Sequence, residues 1–341
     1  FDTMSKKLTY LLPGLFMIFT FQSCISEPDV EPNTPRGNFD ALWKIIDTRY
    51  CYLDYKEINW DAVYAKYSSR LDSVSNKYRF FDLLSQMLSE LKDGHVNLYS
   101  EFDRSRYWNW YTDYPANFDV KIIFKEKYLG STYRIGGPFR YKKIAENQVG
   151  YIYYGSFSSN FSSANVKDIF SQFTDCKGII IDIRENGGGY LTNADLLASY
   201  FFTEKTLTGY IKHKIGDGHS DFSKPNAVYT ISNEKLKWTK PVIILTNRMT
   251  YSAANDFVCR MKYAPKALTL GDKTGGGGGM PLSSELPNGW MLRFSASPMF
   301  DAEMQDTEWG IDPDVKVDMS EMDKLMGIDT IIEEAVKQIL K

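Results

Sequence analysis

Apolar positions follow two rhythms along this chain. Up to about residue 91 they recur at helical spacing: Phe39, Leu42, Trp43 and Ile46 make one stripe, Trp60, Val63 and Tyr64 a second, and Phe80, Leu83, Leu84, Met87 and Leu88 a third. This spacing predicts a small N-terminal helical subdomain over residues 38–95. Past Gly150 strand and helix alternate. VGYIYYGSF reads as a strand, Val166, Ile169, Phe170 and Phe173 as a helical face, and CKGIIIDIRENGGGY as a buried strand entering a glycine turn. Ala194, Leu197, Ala198 and Phe201 form the next helical face; PVIILT is a further apolar strand, followed by Ala254, Phe257, Val258 and Met261 at helical spacing. Unbroken apolar strands are what a sheet covered on both faces requires. The alternation therefore predicts an α/β core with a largely parallel sheet over residues 149–320. IDTIIEEAVKQIL adds a C-terminal helix within residues 321–341, packed on the sheet.

The intervening parts are less patterned. Residues 96–148 are rich in aromatics and read as a β-rich connection, with strand-like alternation at 119–124. Residues 205–240 read as an inserted hairpin with a polar tip. LPNGWMLRF signals another hairpin, with Asn288 and Gly289 as a two-residue turn.

Composition narrows the function classes. Of 341 residues, 43% are apolar and 24% charged, enough for a proper core, and a net charge of -3 without basic blocks gives no reason to expect nucleic acid. Cys24, Cys51, Cys176 and Cys259 show no paired metal spacing, and His95, His213 and His219 include no i, i+4 pair, so neither a metal site nor a cofactor is expected. Cys176 and Cys259 lie in apolar contexts and read as buried packing residues.

From Met4 the chain reads MSKKLTYLLPGLFMIFTFQSC: two lysines, an apolar run interrupted by Pro13 and Gly14, then small Ser23 before Cys24. That is the layout of an export signal over residues 1–24. Its FQSC ending resembles a bacterial lipoprotein signal, which implies lipidation at Cys24 and attachment to a membrane facing periplasm or cell surface. An acidic, proline-bearing tether over residues 25–37 follows.

Candidate chemistry concentrates in PVIILTNRMTYSAANDFVCRMKY, where Ser252 lies between a buried strand and a helix. At such a junction free N–H groups and the positive end of the helix suit a nucleophile whose attack generates an oxyanion. Serine is also a preferred N-cap, so spacing alone leaves both roles open. His95 follows an Asp93–Gly94 turn at a helix-to-strand corner, where a lone histidine is more often structural or solvated than catalytic. A second Asp-Gly-His, ending at His219, lies in the polar insert and reads as solvated. Gly275 to Gly279 lack the Lys-Ser/Thr of a phosphate loop and read as a flexible cleft wall.

Together these segments resemble serine peptidases of the C-terminal-processing-protease and tricorn-core family. GIIIDIRENGGG is similar to the family's D-x-R-x-N-x-G-G turn, TYSAAND to its nucleophile segment, GDKTGGG to its G-x-x-T-x-G stretch, WGIDPDV to its closing G-[IV]-x-P-D element, and LKDGH to the histidine segment of the tricorn-like branch. The resemblance implies a crotonase-like, Clp-protease-like core and a peptide or protein substrate. The processing branch pairs serine with lysine, but the matching position here is Gly277, and Lys273 matches no catalytic position. The tricorn-like branch is therefore the one implied: Ser252 as nucleophile, His95 as base, Glu308 as the orienting acid with Asp306 as its rival, and the backbone N–H groups of Gly188 and Ala253 as the oxyanion hole. Gly94 stands where tricorn has an auxiliary serine. A non-catalytic peptide or lipid binder of the same fold, and an esterase, are the competing expectations.

Overall fold

The computed structural model describes residues 31–341, so Cys24 and the signal-like segment lie outside it. Two sheets organise the chain. The first has seven strands in the order Val315–Lys316, Ala267–Gly271, Val242–Thr246, Gly178–Asp182, Val149–Tyr153, Phe139–Ile144 and Arg134–Gly136. Its first five strands run parallel, and the last two are added antiparallel.

The unbroken apolar runs have a simple cause. In the strand Gly178–Asp182, Ile179 and Ile181 face one core and Ile180 the other; in Val242–Thr246, Val242 and Ile244 face the first and Ile243 and Leu245 the second. The helices Ser163–Gln172, Leu191–Ser199 and Ala253–Met261 cover the first face. The second is covered by the C-terminal helix Thr330–Leu340 and by residues 122–129. Successive strand side chains point to opposite faces, so a sheet sandwiched in this way needs apolar residues at every position.

The second sheet is antiparallel, ordered Asn97–Tyr99, Met291–Phe300, Thr206–Ile211 and Asn226–Thr230, with Gly279–Glu285 also paired to Met291–Phe300. One face carries the helices Pro35–Arg49, Trp60–Ser68 and Lys77–Ser89: Leu292, Phe294 and Ala296 pack into a core with Phe39, Leu42 and Leu84. The helical region is thus a layer on this sheet. Its sheet in turn packs against the helices Leu191–Ser199 and Ala253–Met261.

Several sequence expectations need correction. The first helix begins at Pro35, within the stretch expected to be tether, because Thr34 Oγ1 accepts the Gly37 N–H at 3.0 Å and Pro35 suits the first helical turn. Residues 119–124 hold a helical turn, Val120–Ile123, in place of a strand; Asp119 caps it through the Lys121 N–H, and Ile122 and Ile123 are both buried. Alternation over so few residues could not separate the two. Leu286 N–H donates to the Trp290 carbonyl, leaving Pro287, Asn288 and Gly289 as a three-residue hairpin loop; Gly289 at φ +85° takes the left-handed position.

Candidate active site

Ser252 follows the parallel strand Val242–Thr246, and the glycine turn follows its neighbour Gly178–Asp182, so both lie beyond the carboxyl ends of adjacent strands. Ser252 occupies the N-cap position of Ala253–Met261, but its side chain makes no cap hydrogen bond. Its Oγ lies 2.9 Å from His95 Nε2 instead. The hydroxyl thus makes no cap bond and is directed at the histidine.

The backbone at Ser252 has φ +58° and ψ -122°, a conformation costing a residue with a Cβ on the order of 1–3 kcal/mol. The surroundings enforce it. Tyr251 N–H donates to the Asn186 carbonyl at 3.1 Å and Ser252 N–H to the Gly276 carbonyl at 2.9 Å. Asn255, one turn into the helix, accepts from Thr274 Oγ1 at 2.6 Å, and Thr274 Oγ1 accepts from Ile311 N–H at 2.7 Å. Three stretches far apart in the chain are tied together beneath the Ser252 turn.

Of the two backbone donors expected to form an oxyanion hole, Ala253 N–H has no acceptor among the described residues, while Gly188 N–H donates to Asn186 Oδ1 at 3.0 Å. A Cβ on Gly188 would lie 2.6 Å from the Tyr251 carbonyl oxygen and 2.8 Å from Ala253 N, at φ +95°. Glycine is therefore required for the turn to lie against Ser252. Asn186 explains the occupied N–H: its side chain folds back on its own turn, as asparagine readily does.

His95 is buried, 3% exposed, on the segment entering Asn97–Tyr99. Burial drives its pKa down to about 4, against the charge of Asp93, with Arg293 and Lys56 also disfavouring the imidazolium. Its Nδ1 makes no well-formed hydrogen bond with any described residue, although the Gly279 backbone lies close enough to favour the protonated ring. The expected orienting acid, Glu308, is buried too, but its Oε1 accepts from Lys56 Nζ at 2.7 Å and its Oε2 has no partner among the described residues. No hydrogen bond joins Glu308 to His95. Asp306 is not bonded to the histidine either: its Oδ1 accepts the Glu308 N–H at 2.7 Å.

The sequence reading missed Lys56 and Asp93. Asp93 Oδ1 accepts the His95 N–H at 2.7 Å, and its Oδ2 accepts from Tyr50 and Ser295, both at 2.9 Å. Lys56 Nζ sits 3.7 Å from Asp93 Oδ2 as well as against Glu308. Burial and the neighbouring Asp93 lift Glu308 to about 8, whereas Lys56 and its hydrogen-bond donors hold Asp93 below the usual carboxylate range despite burial. Asp93 was visible in LKDGH as a turn residue only. For Lys56 no local pattern announced a buried cation, because the carboxylate it meets lies 252 positions away.

Ser252 and His95 open into a cavity of about 300 Å³ walled by Tyr190, Thr208, Met299, Phe300 and the glycines 277–279. The glycine run is thus a cleft wall, though held in place: a Cβ on Gly277 would lie 2.4 Å from the Tyr251 ring. His219 lies elsewhere, against Asp47 at 2.8 Å. Cys176 and Cys259 are buried thiols.

Fold and comparisons together define the class: this is a serine-type peptidase fold. The Peptidase family S41 signature matches residues 148–317, and that of the Tricorn protease C1 domain matches residues 32–89. A putative peptidase from Parabacteroides merdae is 50% identical, with 91% of this chain and 98% of that one aligned and a TM-score of 0.87. The chain belongs to peptidase family S41. The carboxy-terminal processing protease CtpA of Bacillus subtilis is 26% identical over 55% of this chain and 39% of its own length, so the match spans about two fifths of that relative. Mature CPAF complexed with lactacystin shares the fold at 11% identity, covering 90% of this chain and 98% of that one, with a TM-score of 0.67.

Proposed function

We propose that this chain is an exported peptidase that cuts peptide bonds with Ser252 as nucleophile, His95 as general base and Glu308 as the acid that steadies the imidazolium. The observation carrying the reading is the 2.9 Å contact between Ser252 Oγ and His95 Nε2. A serine hydroxyl is a weak nucleophile until a base stands within hydrogen-bonding reach. His95, neutral at physiological pH because of its burial, is able to accept that proton.

In the proposed reaction Ser252 Oγ attacks the substrate carbonyl carbon as its proton passes to His95 Nε2. The carbonyl oxygen then takes up negative charge against Ala253 N–H at the helix N-terminus, with Gly188 N–H as second donor once it turns from Asn186. The C–N bond breaks as His95 returns the proton to the leaving amine, and water repeats the sequence on the acyl-enzyme. Losing one such donor costs about 3–4 kcal/mol of transition-state stabilisation. For Glu308 the support is its place in the cluster: Glu308 Oε2 and His95 Nδ1 are both buried without a well-formed hydrogen bond to any described residue, and catalytic hydrogen bonds often tighten only with substrate bound. A purely binding role would leave the strained Ser252 backbone without a use.

Export as a lipoprotein anchored through Cys24 is part of the proposal and rests on the sequence signal alone. A fluorophosphonate probe is expected to label the wild type and not Ser252→Ala; equal labelling of both would remove Ser252 from the reaction. Metabolic palmitate labelling lost in Cys24→Ala would support the anchor, and label retained in that variant would reject it.

A further inference from the structure

Arg293 stands out among the buried and half-buried cations. It lies on Met291–Phe300, where Leu292 and Phe294 on either side point into the helical layer, so its own side chain is turned to the opposite face. There it lines the same cavity as Ser252 and His95. Comparable arginines are locked: Arg184 is bonded to Asp182 at 2.7 Å and Asp329 at 3.0 Å, and Arg260 to Asp256 at 2.7 Å and Asp195 at 2.8 Å. Arg293 has no ion pair or side-chain hydrogen bond with any described residue. It is half-buried, and none of its nitrogens is sealed away from solvent. The one carboxylate on the cavity wall, Asp256, is already held by Arg260.

A guanidinium withdrawn partly from water without a counter-ion costs free energy, and a fork of N–H donors in that state is matched by a carboxylate. It also disfavours the protonated form of His95, which places its charge within electrostatic reach of the base. A bound carboxylate would offset that charge as the imidazolium forms.

We propose that Arg293 is a carboxylate-binding subsite of the cleft, selecting substrates that present a free C-terminus or an Asp or Glu side chain close to the cut bond. This rests on the peptidase reading for its meaning as substrate selection, though binding can be measured without turnover.

The test uses the full chain carrying Ser252→Ala and fluorescein-labelled peptides from a cleaved sequence, or from a random library if none is known. Each peptide is made with a free C-terminus or an amide, and with Asp or Asn at successive positions. One acidic form is expected to bind on the order of tenfold more tightly than its neutral partner, with the arm that responds identifying the source of the carboxylate. Arg293→Gln should bring that ratio close to one, Arg293→Lys should keep part of it, and added salt should shrink it. No acid preference in either arm, no peptide binding at all, or a ratio unchanged in Arg293→Gln would each overturn the subsite. Fluorophosphonate labelling of the Arg293 variants with Ser252 intact checks that the site is still assembled. If the wild type takes no label yet the acid preference is present and lost in Arg293→Gln, the peptidase reading fails and the subsite stands.

Discussion

Replacing Lys56 by methionine keeps most of the side-chain volume and removes only the ammonium. That group sits 2.7 Å from Glu308 and 3.7 Å from Asp93, with the three side chains 2%, 3% and 0% exposed. Removing the ammonium leaves Asp93, which stays ionised, and Glu308 wherever it is ionised, buried without their cation, which costs about 3–5 kcal/mol. With a urea slope of roughly 2–3 kcal/mol per molar for a chain of this size, the unfolding midpoint should fall by about 1–2 M. The pH dependence is the sharper part. Glu308 is raised from its ordinary 4.5 to about 8, so the folded state prefers its neutral form and loses stability as pH rises through that window. Lys56 is raised above 10.5 by its two carboxylates, which outweigh the effect of burial, so its contribution is complete throughout the window. Without it Glu308 resists ionisation to still higher pH, and the deficit of Lys56→Met should be larger at pH 9 than at pH 6. Urea unfolding followed by tryptophan fluorescence at the two pH values measures this. A deficit under about 1 kcal/mol, or one equal at both, would refute the account.

Further outcomes follow from the same geometry. Ser252→Gly should abolish fluorophosphonate labelling yet raise stability by about 1 kcal/mol in chemical denaturation, because glycine accepts φ +58° without strain; a destabilised variant would contradict the strain. Under the proposed roles, kcat/KM should rise with an apparent pKa near 8, as Glu308 loses its proton, since His95, lowered to about 4, is already neutral; a rise centred near 6.5 would assign the limiting step to the histidine. Gly188→Ala should remove activity and cost about 3 kcal/mol or more in thermal unfolding, because its Cβ would lie 2.6 Å from the Tyr251 carbonyl oxygen at φ +95°; an active, stable Gly188→Ala would show that the turn has room.

The layering around the seven-stranded sheet was legible in the residues themselves. Ile179 to Ile181 and Val242 to Leu245 are apolar at every position, and only a strand covered on both faces asks for that. The helical stripes around Leu42 and Leu84, and the place of Ser252 between strand and helix, are local patterns of the same kind. What these patterns leave undetermined is distance across the chain. Whether Ser252 capped its helix or met a histidine depended on His95, 157 positions away, arriving within 2.9 Å. Glu308 was expected to bond the imidazole, yet Lys56 captured one of its oxygens, because a buried carboxylate takes the nearest cation that packing delivers. Periodicity records which face of an element is dry; only the packed molecule decides which charges share the dry space.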